Sequence, residues 1–229
     1  MPQPIAAFDR LGTETAFEVL ARANALAAEG RSIINLDIGQ PDFRTPDHIV
    51  EAAKAALDRG EHGYTPAAGI PPLRAAVAAD LKRRHNVEVD PNSVLITPGA
   101  KPVMYFAITL LGEPGVEIMY PNPGFPIYES VINFTGATAV PIELHESKGF
   151  AFSADEVLAK VTDRTRLIIL NSPSNPTGGV VPVEEIDKLV AGLAAYPEAI
   201  ILSDEVYSWI LYGGRQHVSL LSYPEIRDR

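Results

Sequence analysis

The chain has 229 residues, of which 46% are hydrophobic and 21% charged, with a net charge of −10 and no cysteine. That length and apolar content suffice for a sizeable core, in one large domain or two small ones. The acidic balance, without a long basic run, argues against nucleic acid or an anionic membrane as partner, and the lack of cysteine excludes disulfides and thiolate metal sites.

Asp9, Glu14 and Glu18 interrupt the first twenty residues, so no signal peptide is expected. No run approaches the ~20 apolar residues of a membrane span, and a cytoplasmic location is expected. A helix is predicted over residues 13–29, where Phe17, Leu20, Ala21, Leu26 and Ala27 form a stripe and Gly30 stands as C-terminal cap. Residues 33–38 read as a short extended run that ends in Gly39-Gln40-Pro41. Pro46 opens a second helix, to residue 59, with Ile49, Val50, Ala53, Ala56 and Leu57 on one face and Gly60 beyond it. Tyr64 follows in a loop that ends at Gly69. Residues 73–85 form a third helix on which Arg74, Lys82, Arg83 and Arg84 read as a solvated face.

Residues 93–97 read as a strand, and Pro98-Gly99-Ala100-Lys101-Pro102 opens the next helix. A glycine turn that feeds a helix N-terminus is a ready anion site, since free N–H groups and the helix dipole point at it. The amides of Ala100 and Lys101 are the candidates. Neither a nucleotide P-loop nor a Gly-x-Gly-x-x-Gly fingerprint is present. Strands are predicted over 117–120 and 137–142, and helices over 127–134 and 155–161. The five histidines are scattered, lack metal-site spacing and read as surface or loop residues.

The most informative stretch is 166–209. Apolar runs at 167–170 and 200–202 bracket an amphipathic segment at 184–194, which is the grammar of a β-α-β unit with strands buried on both faces. Each strand runs into polar residues: Asn171 to Asn175 after the first, Ser203 and Asp204 after the second. Ligands of open parallel sheets sit beyond the carboxyl ends of the strands. Asn175, Asp204 and Tyr207 are therefore expected on one crevice. An amide, a carboxylate and a phenol suit a flat heteroaromatic ligand with a ring nitrogen and an oxygen substituent.

Ser174-Asn175-Pro176-Thr177-Gly178, followed by Asp204-Glu205-Val206-Tyr207, resembles the class I/II aminotransferases of fold type I, which depend on pyridoxal 5'-phosphate. The resemblance implies an α/β fold of three layers: a mostly parallel sheet flanked by helices, the large domain of such enzymes. It implies that Asp204 bonds the pyridine nitrogen and that Asn175 and Tyr207 bond the ring hydroxyl. A carboxylate there favours the protonated ring, which acts as an electron sink. By the same resemblance the amides of Ala100 and Lys101 hold the phosphate, and Phe125 stacks on the ring, with Tyr128 close behind. Gly39 and Asn175 contact the substrate, and Tyr64 reaches the cofactor phosphate of a neighbouring subunit, which implies a homodimer. It also implies a cis bond between Asn175 and Pro176. Aspartate-type members often carry tryptophan where Phe125 stands, which loosens the substrate assignment.

The implied activity is amino transfer between an amino acid, foremost aspartate, and a 2-oxo acid, foremost 2-oxoglutarate. Residues 1–45 then form an N-terminal arm, helix and substrate-proximal strand. Residues 46–229 form an incomplete cofactor-binding large domain, with the small C-terminal domain lacking. The family's Schiff-base lysine lies beyond the Asp-x-x-Tyr motif. Here the lysines are 54, 82, 101, 148, 160 and 188, and none follows Asp204. The 229 residues alone are therefore expected to be inactive. The alternatives are another enzyme of this fold, such as a β-lyase, or a non-catalytic binding or regulatory module.

Overall fold

The structure, a computed structural model, describes residues 3–12 and 15–229. Residues 13 and 14, the expected start of the first helix, lie outside the described residues. The chain forms two compact units, Glu14–Pro71 and a larger one that joins Met1–Thr13 to Pro72–Arg229. Among the described residues, no helix is long and apolar enough to cross a membrane.

The smaller unit carries α1 (Thr15–Ala28) and α2 (Asp47–Asp58). Both stop at the expected glycines. Gly30 and Gly60 adopt φ of +87° and +78°, where a Cβ is penalised. That turn lets the amides of Arg31 and Glu61 reach back to Leu26 and Ala56. The extended run at 33–38 pairs with no strand among the described residues, and Ile34 and Leu36 are exposed. The strand expected there is not formed, because an extended segment becomes a strand only through a ladder partner.

The larger unit contains α3 (Pro71–His85), α4 (Lys101–Leu111), β1 (Glu117–Asn122), α5 (Ile127–Thr135) and β2 (Thr138–Glu143). After these come α6 (Ala154–Leu158), β3 (Thr165–Asn171), α7 (Val183–Leu193) and β4 (Ile200–Asp204). The four strands form one parallel sheet in the order β2–β1–β3–β4. Residues 93–97, expected as a strand, likewise find no ladder partner: Ser93 ends a 3-10 turn and 94–97 remain irregular.

The period of two along the strands builds the three layers. Ile118 and Tyr120 of β1, with Leu167 and Ile169 of β3, pack with Met104 and Ile108 of α4 and Tyr128, Val131 and Ile132 of α5. Met119 of β1, with Ile168 and Leu170 of β3, faces the other way, onto Val157 of α6 and Ile186, Leu189, Val190 and Leu193 of α7. β3 is thus buried on both faces, as expected. β4 is not: it is an edge strand whose residues are partly exposed, Ile200 at 37%.

A short ion-pair network closes the bottom of the sheet. Glu117, buried at the start of β1, accepts from Thr162 Oγ1 at 2.6 Å and from the Arg164 guanidinium. The hydrogen bond from Thr162, ahead of the guanidinium, holds the Glu117 carboxyl below the ordinary carboxylate range against the opposing effect of desolvation.

Leu189 is fully buried between α7 and the sheet. Leu189→Ala is expected to cost about 2–5 kcal/mol through lost burial and the cavity left behind. Equilibrium urea unfolding followed by circular dichroism should show a lower midpoint with an unchanged slope.

Candidate functional site

The order β2–β1–β3–β4 places a switch point between β1 and β3. The helix after β1 packs on one face and the helix after β3 on the other. The connections leaving these two strand ends therefore diverge and open a crevice at their carboxyl side. The turn after β1 delivers Phe125 and the start of α5. The turn after β3 delivers residues 171–179, and the end of β4 delivers Asp204 to Tyr207. The first turn of α4 delivers Ala100, its N-cap, and Lys101.

Contacts join these side chains in series. The Lys101 ammonium lies 5.5 Å from the centroid of the Phe125 ring. Phe125 meets Tyr128 edge to face at 6.0 Å. Tyr128 is fully buried and donates its hydroxyl to Asp204 Oδ2 at 2.5 Å. Burial, then the neighbouring Asp204 charge, drives the phenol pKa strongly upward and keeps Tyr128 a neutral donor. The backbone N–H of Val206 lies 3.3 Å from Asp204 Oδ1. Asn171, buried at the end of β3, donates Nδ2–H to the Asp204 carbonyl at 2.9 Å and accepts the Asn175 N–H at 2.7 Å.

Asn175 and Tyr207 line one cleft of about 280 Å³, together with Pro173, Pro176, Ile210 and Tyr212. Asp204 is at the root of this arrangement rather than on the cleft wall, tied to it through Asn171. The Asn175–Pro176 bond is cis, as expected. The turn is backed closely by another segment: a Cβ on Gly179 would stand 2.4 Å from the Phe150 carbonyl oxygen. Gly39 and Tyr64 belong to the smaller unit, and both are exposed there.

Several residues with structural roles here lack a local sequence signal. Tyr128, expected as a second stacking candidate, is a buried support for Asp204. Asn171 looks like any polar residue at a strand end. His217, expected on the surface or in a loop, is in a loop but its side chain is 8% exposed and meets Glu205 Oε2 at 2.9 Å. Glu205 also accepts from Ser203 Oγ at 2.8 Å, Ser219 Oγ at 3.0 Å and the Leu220 N–H at 3.3 Å. Desolvation opposes the charge of Glu205, but the hydrogen bonds from His217 and Ser203 outweigh it and hold its carboxyl below the ordinary range. Glu205 therefore staples the loop to the end of β4.

Two outcomes follow. Tyr128→Phe leaves Asp204 short of a donor and should lower stability by about 1–3 kcal/mol in urea unfolding. For Glu205 the folded-state pKa lies below the unfolded one, so its contribution is present above the unfolded value and is lost as pH falls through the folded value. Between about pH 5 and pH 3, wild type should thus lose stability faster than Glu205→Gln, measured as the urea midpoint across a pH series.

Comparison with known proteins identifies the family and the fold. The profile of the family Aminotransferase class I and II matches residues 31–228. An aspartate aminotransferase of Streptomyces avermitilis is 38% identical over 211 residues, 91% of this chain and 52% of the relative. The crystal structure of the aspartate aminotransferase from Rhizobium meliloti superposes with a TM-score of 0.92 at 31% identity, over 99% of this chain and 57% of that one. YbdL from Escherichia coli, described with a methionine aminotransferase function, gives 0.86 at 31% identity, over 100% of this chain and 57% of that one. The chain thus spans about half the length of the curated relatives it matches. With the parallel sheet, the switch-point crevice and a match across most of its length, the chain belongs to the class I and II aminotransferases, fold type I.

Proposed function

We propose that the protein transfers an amino group between an amino acid and a 2-oxo acid, with pyridoxal 5'-phosphate as cofactor. The observation that carries this reading is the joint placement of Asn175 and Tyr207 on one cleft, with Asp204 tied behind them by Asn171. The donor set fits the cofactor's ring: one carboxylate for a pyridinium nitrogen, an amide and a phenol for a ring hydroxyl. When bound, pyridoxal phosphate supplies an electron sink that stabilises a carbanion at the amino acid's α-carbon. Asp204, held by Tyr128, keeps the ring nitrogen protonated. Asn175 and Tyr207 orient the ring through its hydroxyl, and Phe125 covers a ring face. The amides of Ala100 and Lys101, at the N-terminus of α4, receive the phosphate.

Gly39 is assigned to the substrate carboxylate, Asn175 to substrate as well as ring, and Tyr64 to the cofactor phosphate of a second subunit, so that the working form is a homodimer. Aspartate with 2-oxoglutarate is the favoured pair, because the relatives named above include aspartate aminotransferases of two bacteria. The aspartate aminotransferase from Thermus thermophilus, described with the dicarboxylate maleate, superposes with a TM-score of 0.91 at 32% identity, over 97% of this chain and 58% of that one. The likeness to the methionine enzyme favours a second reading, in which another amino acid is the donor.

We further propose that a polypeptide limited to these 229 residues, in which no lysine follows Asp204, holds the cofactor without turnover. Pyridoxamine 5'-phosphate, which needs no covalent link to the protein, is the suitable probe. Titration followed by the cofactor's own fluorescence should give saturable binding. Asn175→Ala and Tyr207→Phe should each weaken it about tenfold. Affinity unchanged in both variants would remove Asn175 and Tyr207 from the site. Borohydride reduction after incubation with pyridoxal phosphate should leave no single dominant modified lysine, and a specific adduct with sustained amino transfer would overturn the inactivity.

A further inference from the structure

A second cleft, of about 450 Å³, lies in the larger unit between the last turn of α3 and residues 208–217. Its lining includes Arg83, Arg84, His85, Trp209, Arg215 and His217, and no carboxylate. This cationic wall stands on a chain whose net charge is −10, so it does not reflect a generally basic surface. The neighbouring acids are few. Asp80 alone serves both Arg83 and Arg84, each at 2.5 Å. Arg84 makes this contact through Nε. Glu205 is engaged by His217. Arg215 is exposed and its guanidinium has no ion pair or hydrogen bond among the described residues.

Burial first, then the charge of Arg84, holds the His85 pKa below its ordinary value against the opposing charges of Glu205 and Asp80. The apolar part is Trp209, whose ring is largely exposed with the Arg84 guanidinium 5.3 Å from its centroid. Guanidinium forks bind carboxylate and phosphate oxygens in pairs, and an exposed indole offers a flat face to another ring. The volume is within the range of small-molecule sites.

We propose that this cleft binds a small aromatic anion, a flat ring that carries a phosphate or carboxylate group, with the ring beside Trp209 and the charged group on Arg215. This site is separate from the Asn175–Tyr207 cleft, and its argument does not depend on the cofactor reading.

Trp209 is the chain's one tryptophan, so its fluorescence reports directly on the cleft. The full 229-residue chain is titrated with phenyl phosphate, benzoate, inorganic phosphate and benzyl alcohol. At least one aromatic anion should quench saturably, with half-saturation about tenfold below that of inorganic phosphate, and benzyl alcohol should not saturate. The tighter of phenyl phosphate and benzoate identifies the charged group. Arg215→Gln should raise the half-saturation about tenfold with an unchanged far-ultraviolet spectrum and urea midpoint. Asn175→Ala, in the other cleft, should leave the titration unchanged. Quenching that never saturates, that does not prefer the aromatic anion, or that is the same in Arg215→Gln overturns the proposal. Loss of binding in Asn175→Ala with Arg215→Gln unaffected would likewise overturn it, by assigning the signal to the first cleft.

Discussion

The site rests on one buried side-chain amide. Asn171 closes β3, and its two polar atoms reach two different segments: Nδ2–H to the Asp204 carbonyl at 2.9 Å and Oδ1 to the Asn175 N–H at 2.7 Å. Neither contact carries sequence-specific chemistry, since both partners are backbone groups. What they settle is register. An N–H and a C=O drawn partly out of water each need a partner, and here a single residue satisfies both. The turn that carries Asn175 and the strand end that carries Asp204 and Tyr207 are thereby held to a common origin. An apolar residue at this position would leave two backbone groups unpaired in addition to losing the bridge.

A second constraint follows from strand alternation. Asp204 and Glu205 are consecutive carboxylates, and their side chains are bound on different sides. Asp204 meets Tyr128 from α5, while Glu205 meets His217, Ser219 and Leu220. Successive side chains of an extended segment point oppositely, so the pair clamps the end of β4 between a helix and a loop. The edge position of β4 makes this clamp more important. Ladder bonds reach it from β3 alone, and side-chain bonds at its end supply order on the flank where the sheet offers none.

The sequence was most legible where a pattern acts locally. Short apolar runs and glycines beyond amphipathic stretches each announce their conformation through nearby atoms, and the sheet and both glycine-ended helices follow, whereas the cis Asn175–Pro176 bond is expected through the family resemblance. Residues 33–38 and 93–97 show the converse. Both are apolar and extended, yet neither is a strand, because a ladder depends on a partner that local sequence cannot name. The same holds for β4, whose apolar residues suggest burial on both faces although its place at the edge denies it. Tyr128 and Asn171 act across long stretches of chain, 76 and 33 residues in their bonds to Asp204, so nothing adjacent to them marks their roles. Arg84 reads as one of several solvated cations on α3 until folding sets Trp209 against it.

Residues 207–212 have an unusual position in this scheme. Tyr207, Ile210 and Tyr212 line the cleft that contains Asn175, whereas Ser208, Trp209 and Leu211 line the cationic cleft. One short irregular segment is therefore a wall common to both, with its side chains divided between them. Such a wall has no ladder or helix of its own to stiffen it. Turn hydrogen bonds from the Ser208 and Ile210 N–H groups to the Glu205 and Tyr207 carbonyls order it locally, and two further contacts anchor its flanks. At one end the Val206 N–H meets the Asp204 carboxylate, and at the other His217 is held by Glu205. Both anchors are carboxylates at the end of β4, so the shape of either cleft depends on the same pair of residues, of which Asp204 is held by Asn171 from the sheet and by Tyr128 from α5.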